Sequence, residues 1–186
     1  MGNTFDWTVL RAGSFRLDGG GMFGLVPRTM WARMAPPDEL NRIQLQTNCI
    51  LLRGEPGTVL VETGFGDKWR EKDRHIYELE QRTVVDALAE IGVAPEEIDH
   101  VVVTHLHFDH AAELTVQKAD GSLAPTFPRA RVFVQRTEWQ DAVANKSTMT
   151  RTYLPSHLEP IADRVTLLDG ETSPLPGIRV MPMIGM

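Results

Sequence analysis

A short segment of the sequence concentrates side chains that bind metal ions. Residues 104–110 read T-H-L-H-F-D-H, so three of the six histidines of the chain lie within six positions. Neutral imidazole nitrogen and carboxylate oxygen are good ligands for zinc and similar divalent ions. This ligand segment, as we call residues 104–110, therefore predicts a metal centre rather than an ordinary polar loop.

The spacing of these side chains predicts two ions. His105 and His107 alternate along the chain, so both can point toward one ion at the end of a strand. Asp109 and His110 follow where the chain is expected to turn, and they can reach a second ion a few ångströms away. Two ions about 3.5–4 Å apart share a bridging hydroxide, and coordination lowers the pKa of that water to roughly 7. The predicted chemistry is attack of this hydroxide on a carbonyl or phosphoryl group.

The elements around the ligand segment predict how it is positioned. Residues 101–103 read V-V-V, which is typical of a strand buried on both faces of a layered structure. A hairpin is expected from residues 48–52 and 58–62, and helices around residues 77–91 and 138–144. Further strands are predicted at residues 8–10, 14–17, 131–134, 165–168 and 178–180. This mixture predicts an α/β or α+β fold with a mixed sheet.

Other notable residues are predicted to be structural. Residues 19–21, three consecutive glycines, predict a flexible loop, and the charge run of residues 67–74 predicts a solvated surface. Cys49 is expected to be a buried thiol. His157 is expected to be a surface histidine rather than a further metal ligand that substitutes for one absent from the ligand segment. Residues 22–37 predict an ordered loop, either packed on the surface or facing a substrate, with Met22, Phe23 and Trp31 as candidates for a substrate mouth.

Composition narrows the function classes. The chain has 19 basic and 25 acidic residues, a formal net charge of −6, which counts against non-specific binding of nucleic acid. No apolar run is long enough to span a membrane, and residues 1–6 lack the pattern of a secretory signal. The single cysteine provides no internal disulfide. Together these features predict a cytoplasmic protein with neither a nucleic-acid nor a membrane partner.

The motif H-x-H-x-D-H after V-V-V-T resembles the signature of the metallo-β-lactamase-fold hydrolases. Residues 48–66, ending in V-E-T-G-F-G, are similar to the N-C-x-L-x hairpin and V-D-T-G loop of that family. Residues 95–110 are similar to its P-E-E-I-D-x-V-x-x-T-H-x-H-x-D-H stretch. Residues 15–37 resemble the branch that contains N-acyl-homoserine lactonases and organophosphate hydrolases.

The resemblance implies a fold and a role for each ligand. The fold would be the N-terminal portion of a four-layer αβ/βα sandwich with a mixed sheet. His105 and His107 would bind one ion, and Asp109 and His110 the other, with zinc the first choice and iron, manganese or cobalt as alternatives. Asp109 would also have a catalytic role, because it would orient the attacking hydroxide or move a proton. Glu62 replaces the usual Asp of the V-D-T-G loop. This difference is expected to change the contacts around the metal ligands more than metal binding itself.

The resemblance also implies ligands that the sequence does not contain. A third His from a G-H-T-x-G-H motif, a bridging Asp and a final His would lie beyond residue 186, and residues 182–186 resemble the approach to that motif. Residues 1–186 are therefore predicted to be a partial domain that lacks the C-terminal half of the fold. Such a half is expected to expose a large apolar face.

These observations predict a metal-dependent hydrolase, present as an incomplete chain, that acts on an ester, lactone or phosphoester bond of a small molecule. Two alternatives stay open: a non-catalytic binding or interaction half-domain, and a half that needs a partner chain to complete its site. A homo-oligomer is compatible with either. A third alternative is iron-dependent redox chemistry, which this fold also hosts. Apart from the candidates for a substrate mouth, the sequence identifies no residues that bind the substrate.

Overall fold

The computed structural model of the protein describes residues 4–146 and 152–183. The strands in these residues are β1 (Asp6–Asp18), β2 (Arg42–Gly54), β3 (Gly57–Val61), β4 (His100–Val102), β5 (Thr115–Gln117), β6 (Leu123–Pro125), β7 (Arg131–Gln135), β8 (Val165–Leu168), β9 (Thr172–Leu175) and β10 (Ile178–Val180). The helices are α1 (Gly19–Phe23), α2 (Arg28–Trp31), α3 (Glu71–Tyr77), α4 (Val84–Glu90), α5 (Phe108–Ala111), α6 (Arg136–Val143) and α7 (Pro155–Leu158). Of the residues described, none belongs to a helix long and apolar enough to cross a membrane.

A six-stranded mixed sheet forms the centre of the fold. Its strands lie in the order β1-β2-β3-β4-β7-β8, antiparallel from β1 to β3 and parallel from β3 to β8. The pairs β5–β6 and β9–β10 form two separate hairpins. The mixed sheet, the hairpin of β2 and β3 and the buried strand before the ligand segment agree with the sequence prediction.

One face of the sheet is covered by helices. Leu60 and Val101 of neighbouring parallel strands pack with Leu88 of α4 and Ala142 of α6 in the main core. Cys49 lies in the same core, completely buried, as predicted, and burial raises the pKa of its thiol. The inward side chains come from alternating strand positions, which is the pattern that a two-layer contact requires.

The opposite face is covered by the β9–β10 hairpin. Val59, Val102 and Phe133 of the sheet pack against Leu175 and Ile178 of that hairpin. The expectation of a large exposed apolar face is therefore wrong for the part of the sheet that this hairpin covers. Burying these side chains against the hairpin removes apolar surface from water and stabilises both.

A β-bulge divides β1. The register with β2 slips between Arg11 and Ser14, so that Ala12 and Gly13 both lie opposite Thr47. Gly13 has a φ of 114°, a conformation that residues with a Cβ rarely adopt. The two short strands predicted at residues 8–10 and 14–17 are thus the two halves of one long strand.

Two helix predictions are corrected. The three glycines at residues 19–21 begin α1 instead of forming a flexible loop, because the Asp18 carboxylate accepts a hydrogen bond from Gly21 N at 2.8 Å and caps the helix. The single helical face predicted from Tyr77 to Ile91 is divided between α3 and α4. Glu78 between them has a φ of 45°, which ends α3.

Candidate metal centre

The ligand segment leaves the sheet at the carboxyl end of β4. This strand lies between the parallel strands β3 and β7, and the chain then turns into α5 (Phe108–Ala111). Ligand sites of parallel sheets form at this edge, because the loops that follow neighbouring strands meet there. The loop after β3 reaches the same place, where Thr63 N donates to the carbonyl of His110 at 2.8 Å.

The structure brings all four predicted ligands together. The ring centroid of His105 lies 4.6 Å from that of His107 and 3.9 Å from that of His110. Asp109 Oδ2 lies 3.5 Å from His110 Nε2. We call these four residues the ligand cluster.

The donor set of the ligand cluster fits a divalent ion in its chemistry. Three imidazoles and one carboxylate are ligands that zinc accepts. In residues 4–146 and 152–183, no three His, Cys, Asp or Glu side chains are already arranged to hold an ion. The donors bond to neighbours instead, as where His105 Nδ1 lies 2.9 Å from Thr104 Oγ1. Binding of an ion therefore requires these side chains to turn.

Glu62 holds two parts of the ligand segment. Its Oε1 accepts a hydrogen bond from Thr104 N at 2.8 Å, and its Oε2 lies 3.1 Å from His110 Nδ1. A carboxylate at Nδ1 favours the tautomer that keeps the lone pair on Nε2, the nitrogen on the Asp109 side. Glu62 has a φ of 65°, a left-handed conformation that is uncommon outside glycine. The sequence indicated this position only as a departure from the family pattern.

The three histidines of the ligand cluster differ in the direction in which their surroundings shift their pKa values. Burial lowers the pKa of His105, and the charges of His110 and His107 lower it further. Burial also lowers the pKa of His107. Burial opposes protonation of His110 as well, but the hydrogen bond with Glu62 and the charge of Asp109 outweigh it and raise the pKa of His110. His105 and His107 are thus held neutral, as metal ligands must be.

A second group of titratable side chains lies around the residues that follow α5, and no motif in the sequence indicates it. This buried cluster consists of Lys68, Glu113 and His157. The Lys68 ammonium donates to the carbonyls of Ala112 and, at 2.6 Å, Thr115. Burial lowers the pKa of Lys68 to about 8 and raises that of Glu113 to about 7.

Two predictions are corrected by the buried cluster. His157, expected on the surface, is 3% exposed, and burial lowers its pKa to about 3. The charge run of residues 67–74, expected to be a solvated loop or helix face, is exposed at residues 67 and 70–72. Asp73 is buried, however, and the Lys68 ammonium is withdrawn from solvent. No sequence signal indicates that Lys68 and Asp73 are buried, because each lies in a run of charged residues.

A cavity of about 290 Å³ opens beside the ligand cluster. Glu62, Asp109 and His110 line one part of it, and apolar side chains line another. The apolar residues are Phe15, Met22 and Leu45. Of the residues expected at a substrate mouth, Met22 lines this cavity, whereas Trp31 is buried in a stack with Phe23 at 5.1 Å.

Comparison with known proteins gives the following matches. Residues 42–118 match the family model of the metallo-beta-lactamase superfamily. An N-acyl homoserine lactonase of Bacillus thuringiensis is 27% identical over 150 residues, which are 75% of this chain and 54% of that protein. The crystal structure of a probable metal-dependent hydrolase from Staphylococcus aureus superposes with a TM-score of 0.84 and 30% identity, over 94% of this chain and 62% of that one.

A crystal structure of a quorum-quenching N-acyl homoserine lactone lactonase superposes with a TM-score of 0.62 and 25% identity, over 97% of this chain and 63% of that one. These neighbours confirm the predicted α/β fold with a mixed sheet. The chain spans about half the length of the curated lactonases that it matches.

Proposed function

We propose, on the premise that this chain carries a metallo-β-lactamase superfamily domain, that the ligand cluster belongs to the divalent-metal centre of a hydrolase. The substrate would be a small molecule with an ester, lactone or phosphoester bond. One observation carries the proposal: three imidazoles and the Asp109 carboxylate meet at the carboxyl end of β4, beside a cavity.

The residues divide between two ions. His105 and His107 would hold one, and Asp109 and His110 the other, with zinc as the first choice because imidazole and carboxylate suit it. A bound divalent ion lowers the pKa of water and polarises a carbonyl or phosphoryl oxygen. Iron, manganese and cobalt accept the same donors and are the alternatives.

The other polar side chains of the centre would orient the reacting groups. Glu62 fixes His110 through Nδ1, so that His110 Nε2 faces the Asp109 carboxylate. Asp109 would accept and pass on a proton, and its position in the lining of the cavity supports this role. This is the catalytic role that we assign to Asp109.

The cavity supports a substrate with one polar and one apolar part. The bond to be hydrolysed would lie by Asp109 and His110, and the apolar part against Phe15, Met22 and Leu45. Ligand sites in proteins commonly combine an apolar lining with a few polar groups in this way. The related lactonases support this substrate class, and the cytoplasmic location stays a prediction.

A second candidate function rests on a different observation. A groove of about 740 Å³ runs from His105 and Glu138 along the sheet to Arg179 and Met183. A partner chain, or a second copy of this one, bound in this groove would lie against the ligand cluster. The chain would then be an interaction half-domain or one half of a shared site.

Metal content and turnover together test both candidates. The purified chain is expected to retain divalent metal by mass spectrometry, and a His105→Ala/His107→Ala variant to lose the first ion. Equal metal content in the two proteins would refute the proposed role of these residues. Metal-dependent hydrolysis of a lactone or phosphotriester by the chain alone supports the hydrolase and counts against the half-domain. Metal binding without turnover, with a dimer seen by light scattering, favours the half-domain.

A further inference from the structure

Glu138 connects α6 to the ligand segment. Its Oε1 accepts a hydrogen bond from Leu106 N at 2.7 Å. Its Oε2 accepts one from the hydroxyl of Tyr153 at 3.3 Å. In the sequence, Glu138 only marks the start of a predicted helix.

Both contacts of Glu138 lead to predicted metal ligands. Leu106 lies between His105 and His107, and its side chain is completely buried. The backbone at this point is therefore fixed both by the hydrogen bond to Glu138 and by the packing of the Leu106 side chain. The ring of Tyr153 packs against His107 with the centroids 5.2 Å apart. A hydrogen bond from an amide to a carboxylate is stronger than one between neutral groups. Glu138 therefore restricts the backbone between the two histidines and, through Tyr153, the ring of one of them.

The same arrangement occurs on the other side of His105. Glu62 accepts from Thr104 N as Glu138 accepts from Leu106 N, at 2.8 and 2.7 Å. The two amides flank His105, and the two carboxylates come from different parts of the chain, the end of β3 and α6. The second oxygen of Glu62 bonds to the predicted ligand His110. The second oxygen of Glu138 bonds to Tyr153, whose ring contacts the predicted ligand His107.

We propose that Glu138 is a positioning residue of the metal centre, which fixes the backbone between His105 and His107 through Leu106 N and orients His107 through Tyr153. The inference rests on the proposed function, because it gives Glu138 a purpose only if these histidines bind metal. Groups that orient ligands affect metal affinity by about 10–100-fold. Glu138 acts through the ligands and does not itself bind the ion.

The first experiment measures the positioning directly, without metal. Hydrogen exchange of the Leu106 amide is followed by NMR in the metal-free wild type, in Glu138→Ala and in the matched control Asp141→Ala. Asp141 lies on the same helix, carries the same charge and pairs with Lys146 instead of the ligand segment. Exchange at Leu106 is expected to be at least about tenfold faster in Glu138→Ala and unchanged in Asp141→Ala.

The second experiment measures the consequence for metal binding. Co²⁺ affinity is determined by chelator competition, and the ligand field is read from the visible absorption of bound Co²⁺. Glu138→Ala is expected to bind Co²⁺ about 10–100-fold more weakly, with an altered spectrum. Glu138→Gln is expected to restore most of the affinity, because its amide oxygen still accepts from Leu106 N. A general loss of stability would not be repaired in this selective way.

Each outcome decides between the two proposals. Unchanged Leu106 exchange in Glu138→Ala, or an equal change in Asp141→Ala, overturns the positioning role. Wild type that fails to bind Co²⁺ overturns the proposed metal centre, and the positioning role for metal falls with it. If Glu138→Ala does not fold, Glu138→Asp replaces it. That variant keeps the charge but withdraws the carboxylate by one methylene, and the same direction of change is expected.

Discussion

The ligand cluster ends within α5, the buried cluster surrounds the residues that follow α5, and both contain titratable groups with shifted pKa values. They differ in access to solvent and in their partners. The ligand cluster borders a cavity, and its hydrogen bonds leave Nε2 of His110 facing a carboxylate. In the buried cluster, the ammonium is satisfied by backbone carbonyls and His157 is almost completely covered. A shifted pKa marks a candidate site, and access for a ligand is what distinguishes a functional cluster from a structural one.

The strongest test of this difference removes two ligands. His105→Ala/His107→Ala is expected to abolish metal binding at the first ion, because no imidazole is left there, while the free energy of unfolding of the metal-free protein changes little. Metal content is measured by mass spectrometry and stability by urea denaturation. His75→Ala, an exposed histidine on α3, is the control and is expected to bind metal like the wild type. A large loss of metal-free stability would show that the two clusters are not separable.

The reverse test removes the cation of the buried cluster. Lys68→Met leaves two carbonyls without their donor and Glu113 without a nearby positive charge, and is expected to lower the free energy of unfolding by about 3 kcal/mol. Metal affinity of the folded variant is expected to stay within about twofold of wild type. Adding Glu113→Gln to Lys68→Met is expected to recover part of the loss. Urea denaturation and metal titration measure the two quantities, and a loss of metal affinity without a loss of stability would contradict the assignment.

The pH dependence of stability separates two members of the buried cluster. The pKa of His157 falls from 6.5 to about 3 on folding, so the unfolded chain takes up that proton first and stability falls as the pH drops below 6.5. The pKa of Glu113 rises from 4.5 to about 7, so the folded chain binds that proton more tightly and stability rises as the pH drops. Between pH 6.5 and 5 the two effects oppose each other.

Single variants are expected to reveal the opposed effects. Relative to wild type, Glu113→Gln is expected to lose stability, on the order of 1 kcal/mol, between pH 6.5 and 5, and His157→Gln to gain a similar amount. Urea denaturation at the two pH values measures the change in stability of each variant, and wild type serves as the reference. Slopes of the same sign in the two variants would contradict the burial of one of them.

The smallest expected effect concerns Glu62, which bonds to the ligand segment at Thr104 and His110. In Glu62→Gln, the amide oxygen still accepts from Thr104 N, but the amide nitrogen faces His110 Nδ1 and donates to it. The proton of His110 then moves to Nε2, which removes the lone pair that the second ion needs. Affinity for the second ion is expected to fall about tenfold, with the first ion unaffected. Zinc titration calorimetry resolves the two steps, and an equal change in both would refute the tautomer argument.

The sequence predicted the ligand cluster because its members are close along the chain. Because the four ligands lie within six residues, their proximity depends little on tertiary structure. The β-branched residues before them indicate the strand that precedes the ligand segment. Glu62 and Glu138 bond to the same segment from 42 and 32 residues away. Their roles depend on strand order and on how α6 packs, which periodicity does not reveal.

Tertiary contacts also explain the predictions that were wrong. Three glycines disfavour a helix, yet α1 forms because Asp18 caps it and the ring of Trp31 lies against Gly19, where an added Cβ would stand 2.4 Å from Cη2. The sequence around His157 reads P-S-H-L, which matches no ligand motif and predicts a surface histidine. It is covered instead by elements distant along the chain, Trp69 among them, with the ring centroids 6.2 Å apart.

The bulge in β1 has a consequence for insertions and deletions during evolution. Leu10 and Phe15 are five residues apart and would point to opposite sides of an unbroken strand, but the extra residue turns both inward. Phe15 thereby reaches the ring of Phe108 in α5, with the centroids 6.1 Å apart. Deletion of Gly13 would turn Phe15 outward and remove this support from the helix that carries Asp109 and His110. Changes of length are therefore expected to be selected against at this point, although it is far along the chain from every metal ligand, and to be accepted in the exposed turn between β2 and β3.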